Sequence, residues 1–174
     1  MNYSGIKETD IANGTGVRVT LFVSGCRHHC KGCFNPDTWS FEAGEPFTED
    51  TEETLLRALE PEFINGFTLL GGEPMEPDNQ RALLPFMRRV RERFPEKTVW
   101  CYTGCVLQDN LTLDDDYQCE VTEELLSTID VLVDGRFIEE KKNLRLLFRG
   151  SENQRLLDMN ESRRQGKPCL LTLA

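Results

Sequence analysis

Three of the seven cysteines fall within eight residues, as Cys26-Arg-His-His-Cys30-Lys-Gly-Cys33. Thiolates on so short a loop can converge on one metal centre, and they are the usual protein ligands of iron–sulfur clusters. A four-iron cluster held by only three thiolates keeps one iron open, and an open metal position can take a small molecule. Other chemistries fit the same residues. With His28 or His29 the triplet can make a structural Cys3His zinc site, although each histidine is cramped between two ligands. Cys30-Lys-Gly-Cys33 can act as a redox dithiol, which gives Cys26 no role. Inert buried thiols are the plain alternative, and three so close together in a polar segment argue against it. The spacing favours the cluster, with both histidines on an exposed loop.

The elements around the loop follow from pattern. Val17–Ser24 is a β-rich apolar run stopping at Gly25, a buried strand that feeds the cysteines. Thr48–Leu59 has a helix start at Thr48, acids in its first turn, and Leu55, Leu56 and Leu59 on one face. Phe67–Leu70 is a second strand, closed by Gly71-Gly72. Asp78–Arg93 reads as a helix with Leu83, Leu84, Met87 and Val90 inward, kinked at Pro85 or starting after it. Thr98–Tyr102 and Ile129–Val133 are further strands, with Glu123–Ser127 part of a helix between them. Asp109–Glu120 reads as a solvated loop. Alternating strands and helices predict a parallel α/β sheet. Residues 1–154 form one domain in this reading, and 155–174 a polar tail without an assigned role.

The chain has 174 residues, with 20 Lys+Arg against 30 Asp+Glu and a net charge of −10. That balance argues against nucleic acid as a partner, because phosphate binding needs a basic footprint. No apolar run approaches a membrane span and no signal pattern opens the chain, so a cytoplasmic, membrane-independent protein is expected. Clustered cysteines in a reducing compartment point to metal or redox chemistry. Cys101, Cys105, Cys119 and Cys169 are scattered. Cys101 and Cys105 form a second CxxxC, but Cys101 lies inside a predicted strand, where a thiol behaves as a small hydrophobe. Asn13-Gly-Thr-Gly16 precedes a strand, not a helix, and is a weak phosphate cradle.

The cysteine loop resembles the cluster motif of the radical S-adenosylmethionine superfamily, in which CxxxCxxC precedes an aromatic residue, here Phe34. A Gly-Gly-Glu stretch after the next strand is the superfamily's second feature, matched by Gly71-Gly72-Glu73-Pro74. Six further segments are similar to the family that activates anaerobic ribonucleoside-triphosphate reductases: Asn13–Arg18, Leu21–Cys26, Cys33–Trp39, Trp100–Gly104, Asp130–Phe137 and Arg149–Gln154. The resemblance runs from about Gly5 to Gln154. Two residues depart from the common pattern: Phe34 stands where tyrosine is usual, and Leu70 precedes the glycines where serine is usual.

The resemblance implies an incomplete, open (β/α) barrel of the radical SAM type with a mainly parallel sheet. About 140 residues from Cys33 onwards allow four or five βα units. It implies a [4Fe–4S] cluster on Cys26, Cys30 and Cys33, and S-adenosylmethionine held by Gly32, Cys33, Phe34, Gly71, Gly72 and Glu73. It also implies reductive cleavage to a 5′-deoxyadenosyl radical that takes hydrogen from a glycine of the reductase, with a flavodoxin-type protein as electron donor. No general acid or base is assigned, because the cofactors carry the chemistry. Asp134-Gly-Arg-Phe137 at a strand end reads either as an ordinary turn, which is preferred, or as a segment facing the partner's glycine loop.

Overall fold

The computed structural model describes residues 1–112 and 114–173. Leu113, inside the loop expected over Asp109–Glu120, and Ala174, at the end of the expected tail, lie outside the described residues. Strands β1 (Asn2–Asp10), β2 (Arg18–Val23), β3 (Glu45–Pro46), β4 (Gly66–Gly71), β5 (Thr98–Tyr102), β6 (Val131–Asp134) and β7 (Arg155–Asp158) build one sheet. Their order is β3-β1-β2-β4-β5-β6-β7, and the two ends do not meet. The β2–β4, β4–β5 and β5–β6 pairs are parallel, and the outer pairs antiparallel.

Helices α1 (Glu49–Ala58), α2 (Pro77–Arg93) and α3 (Thr122–Ser127) connect the four parallel strands, and α4 (Met159–Gln165) follows β7. Three helical crossovers is fewer than the chain length permits. The remaining residues go instead to a long segment after β6, to β7, which runs back antiparallel, and to α4. The segment expected as a polar tail therefore contributes a strand and a helix, with Leu156 and Leu157 buried.

Local chemistry explains the element ends. Thr48 accepts from the Thr51 amide and Thr51 answers the Thr48 amide, a capping box, while Glu49, Asp50 and Glu52 favour the positive end of α1. Helix α2 runs from Pro77 through Pro85 to Arg93, so it does not start after the proline. Leu83, Leu84, Met87 and Val90 on its inner face are all buried, which offsets the lost backbone bond.

Strand alternation sorts the sheet into two faces. Val19, Leu21, Val23, Phe67, Leu69, Val99, Cys101 and Leu132 join Leu55, Leu56, Leu83, Met87 and Leu125 in the main core under the helices. The intervening residues point the other way. At the start of the strands this second face carries Arg18, wholly buried, donating to Thr68, Thr98 and the carbonyls of Thr15, Phe67 and Thr98 at 2.7–3.1 Å. Its guanidinium lies over Trp100, 5.6 Å from the ring centre, and burial pulls its pKa down to about 10. At the other end of the same face, Phe22, Leu70, Tyr102 and Val133 line a cavity.

Candidate functional site

The cysteine loop leaves β2 at its carboxyl end, where open α/β sheets keep their ligand crevices. Gly25 makes the turn with φ of 101°. The loop is stitched to its surroundings by backbone bonds: Gly25 N to Thr38 O at 2.8 Å, Cys26 N to Trp39 O at 3.1 Å and Glu73 N to Gly25 O at 2.7 Å. The last of these puts the Gly71–Glu73 segment directly beside the cysteines. Gly72 is so closely packed that an added Cβ would lie 2.6 Å from the Gly25 carbonyl oxygen.

Cys26, Cys30, Cys33, Phe34, Gly71, Gly72 and Glu73 line one cavity of about 640 Å³. Gly32 is not among the lining residues; it lies in the left-handed region at φ 75°, against Glu139. Phe34 is 63% exposed and tilts against Phe137, with ring centres 5.1 Å apart. Of the cysteines, Cys26 is buried and the other two half-buried; no disulfide forms among the described residues.

The donor set fits an iron–sulfur cluster. Burial and the nearby Glu73 push the Cys26 thiol up to about 12, opposed by hydrogen bonds from the His28 and His29 amides. Burial likewise raises Cys30, and the Asn35 amide reaches the Cys33 sulfur at 3.4 Å. Thiols raised in this way ionise when a metal binds, and amide donors to sulfur are typical of cluster ligands. Two buried polar atoms of cavity residues, Trp39 Nε1 and Tyr102 OH, have no partner among the described residues. They suit a polar ligand in that space.

His28 is a correction to the expected exposed loop. Its side chain is only 3% exposed, and its Nε2 donates to Glu73 Oε1 at 2.7 Å. Its Nδ1 stands 3.4 Å from the Tyr117 hydroxyl, with the two rings stacked at 4.9 Å. His29 does stay exposed, stacked on Trp39. The Glu73 carboxylate also accepts from Met75 N at 2.8 Å, Gly104 N at 2.7 Å and the Thr103 hydroxyl at 2.8 Å. One residue earlier in the loop, Arg27 binds Glu76 through its amide and its Nε at 2.9 and 2.8 Å and covers the Tyr117 ring. Two carboxylates three residues apart thus clip the loop between its first two cysteines.

Three of these groups, His28, Glu73 and Cys105, place ligand atoms within 4.8 Å of one another. They form a hydrogen-bonded network, not a metal site. Glu73 is filled by protein donors, and the Cys105 sulfur stands 4.0 Å from the His28 Nε2 that Glu73 already engages. Cys101 is wholly buried in the core, as its strand position implied. Cys119 contacts Gln80 and Thr122, and Cys169 lies beyond β7. Tyr117, in the segment expected to be a solvated loop, is buried against the site, as is Leu111 in the core. Asp134 is also buried, paired with Arg155 at 2.6 Å, and so faces inward.

Gly104 closes the network from β5. A methyl there would stand 2.6 Å from the His28 ring. Gly104→Ala is expected to displace His28 at a cost of about 1–3 kcal/mol, and to lower the iron retained on reconstitution. Urea denaturation of the metal-free chain and an iron assay check this; both values at wild-type levels would show that the ring does not depend on Gly104.

Residues 12–157 match the family described as "4Fe-4S single cluster domain". The anaerobic ribonucleoside-triphosphate reductase-activating protein of Pasteurella multocida is 46% identical over 156 residues, covering 88% of this chain and 95% of the relative. The proteins of the same name from Enterobacteria phage T4 and Escherichia coli K12 are 41% and 40% identical, covering 90% and 88% of this chain and 93% and 96% of their own.

Proposed function

This chain belongs to the family of anaerobic ribonucleoside-triphosphate reductase-activating proteins, and from that premise we propose that it generates the glycyl radical of such a reductase. The observation that carries the reading is the single cavity shared by the three thiols and the Gly71–Glu73 segment. Its volume is of the order that takes a nucleoside-sized ligand with room to spare.

Cys26, Cys30 and Cys33 hold a [4Fe–4S] cluster, and Gly32, Cys33, Phe34, Gly71, Gly72 and Glu73 form the S-adenosylmethionine site. When bound, these groups supply one-electron cleavage of the sulfonium to methionine and a 5′-deoxyadenosyl radical, which takes hydrogen from the reductase's glycine. The protein's own part is placement. Gly71 and Gly72 have no side chains to keep the methionyl end from the backbone. Glu73 serves that segment by holding it, since its carboxylate is engaged by four protein donors. Phe34 offers an aromatic face at the cavity wall for the adenine. Phe22, Leu70 and Val133 make the floor apolar, which keeps water from a radical species.

The sheet is open at both edges, consistent with an incomplete (β/α) barrel of the radical SAM type, and the half-buried Cys30 and Cys33 beside the exposed Phe34 support access for a large protein substrate. Among the described residues no helix is long and apolar enough to cross a membrane. A reducing cytoplasm with a flavodoxin-type donor suits the chemistry. The test is anaerobic. The chain is reconstituted with iron and sulfide, reduced with dithionite and given S-adenosylmethionine. It should form 5′-deoxyadenosine and, with the reductase added, a glycyl doublet in the electron paramagnetic resonance spectrum. A fully loaded cluster that yields no 5′-deoxyadenosine would sink the reading.

A further inference from the structure

We propose that Lys141–Arg149 is the docking segment for the protein substrate, and that it takes an acidic, apolar-edged face of the reductase next to the loop being activated. This rests on the function proposed above and names the surface that function needs.

The segment reads Lys-Lys-Asn-Leu-Arg-Leu-Leu-Phe-Arg: four cations and no acid, on a chain of net charge −10. Lys31 lies 3.6 Å from both of the acids just before it, Glu139 and Glu140, and balances one of their charges, so the segment's four cations outnumber the acid charge left beside them. Within the segment, Arg149 donates to the Gln154 carbonyl and Lys142 lies over the Phe34 ring. Lys141 and Arg145 are exposed and make no ion pair among the described residues. An acidic protein that must meet a large partner gains from a local patch of the opposite sign, which steers encounter and fixes orientation. By complementarity, the partner surface that fits is acidic.

Apolar residues sit among these charges. Leu144 is 84% exposed and Leu147 63% exposed, and Phe34 adds a 63% exposed ring at the cavity wall. Single exposed leucines are ordinary. Two of them interleaved with arginine and lysine on one segment have the composition of an interface, in which apolar anchors are rimmed by charge.

Position makes the case specific. Asn143, Leu144, Leu146, Phe148 and Arg149 line the same cavity as the cysteines, so a chain entering that cavity passes over this segment. The segment is also held at its base. Lys142 bridges to Ser151, Asn143 N bonds Gly150 O at 3.1 Å, and Gly150 N bonds Gln154 Oε1 at 2.8 Å. Phe148 takes φ of 59°, a conformation costly for an aromatic residue, and packs edge-on against Trp100 at 5.3 Å. The tip is presented outward from an ordered base, which lowers the ordering cost of binding.

The test measures binding apart from chemistry. The full chain is immobilised anaerobically with its iron–sulfur site reconstituted and without S-adenosylmethionine, and the cognate reductase is titrated over it by interferometry at several salt concentrations. Lys141→Glu/Arg145→Glu should weaken binding by about 10-fold or more at low salt and flatten the salt dependence. Leu144→Ser/Leu147→Ser should weaken it with the salt dependence kept. Arg164→Glu/Lys167→Glu, which makes the same charge change on and beside α4, should bind within about 2-fold of wild type. Equal losses in the two charge-reversed variants, no wild-type binding at all, or a wild-type dimer that the leucine variant abolishes would each overturn the proposal. Reconstituted Lys141→Glu/Arg145→Glu should still form 5′-deoxyadenosine at the wild-type rate when no reductase is present. A wild type that binds the reductase but never cleaves S-adenosylmethionine would instead remove the function proposed above and leave the docking surface standing.

Discussion

Replacing Cys30 with alanine is expected to strip the chain of its iron while leaving its fold in place. Cys30 is half-buried on a loop outside every strand and helix, and its side chain is not part of the apolar core. Truncation there should cost no more than about 1 kcal/mol of stability. On the ligand set proposed above, the same change removes one of three thiolates and leaves too few to retain a cluster. Product formation should fall by at least about 100-fold, because every later step needs the cluster's electron. Cys101→Ala makes the opposite prediction. That thiol is wholly buried among apolar side chains, so its loss should cost about 1–2 kcal/mol and leave iron content unchanged. Iron per chain, 5′-deoxyadenosine yield and urea midpoints, measured on both variants, separate the two roles. Full iron on Cys30→Ala would show that the cluster sits elsewhere.

Glu73→Ala should be among the most damaging single changes available in this chain. Four donors, from His28, Met75, Thr103 and Gly104, converge on a carboxylate with no solvent exposure. Truncation orphans all four in a space that small side chains cannot fill. Each buried unsatisfied group costs about 1–3 kcal/mol, so even with partial rehydration a loss of about 4 kcal/mol is expected. For a chain of this size that lowers the melting temperature by roughly 8–16 °C. Glu73→Gln is the more informative variant. It keeps the shape but sets an amide NH2 against N–H donors, and should lose about half as much. Calorimetry on the metal-free chain isolates this effect from cofactor binding. The loop should loosen as well, since His28 lies between two of the cysteines, and reconstituted iron should drop in both variants. A metal-free Glu73→Gln chain as stable as wild type would remove the network from any structural role.

The parts of the fold legible in the sequence are those whose residues carry their own signal. Strands β2, β4 and β5 are β-rich runs buried on both faces, and glycine ends the first two. Thr48 and the acids after it announce α1. Strand β1 carries no such signal. Its sequence, Asn-Tyr-Ser-Gly-Ile-Lys-Glu-Thr-Asp, is mostly exposed or half-buried, and it is a strand because β2 presents a line of bonding groups to it. Strand β7 is likewise four residues recruited by the open edge of β6. Tyr117 and Leu111 stand amid aspartates, yet are buried because the adjoining core has room for them; the Tyr117 carbonyl accepts from Gln80 on α2.

By itself, then, the sequence determined that three thiols on one loop follow a buried strand and that a glycine pair follows the next. Ligand spacing is a local property, and a chain of eight residues cannot hide it. Only the tertiary structure decided what holds that loop. Glu73 and His28 are 45 residues apart, and Thr103 lies 30 residues beyond Glu73. The parallel pairing of β2, β4 and β5 brings the ends of all three strands together, so groups distant along the chain become neighbours at one end of the sheet. The spacing of the cysteines could be read from one short stretch; that a buried carboxylate sets their loop could not, because it and its partners come from three separate parts of the chain.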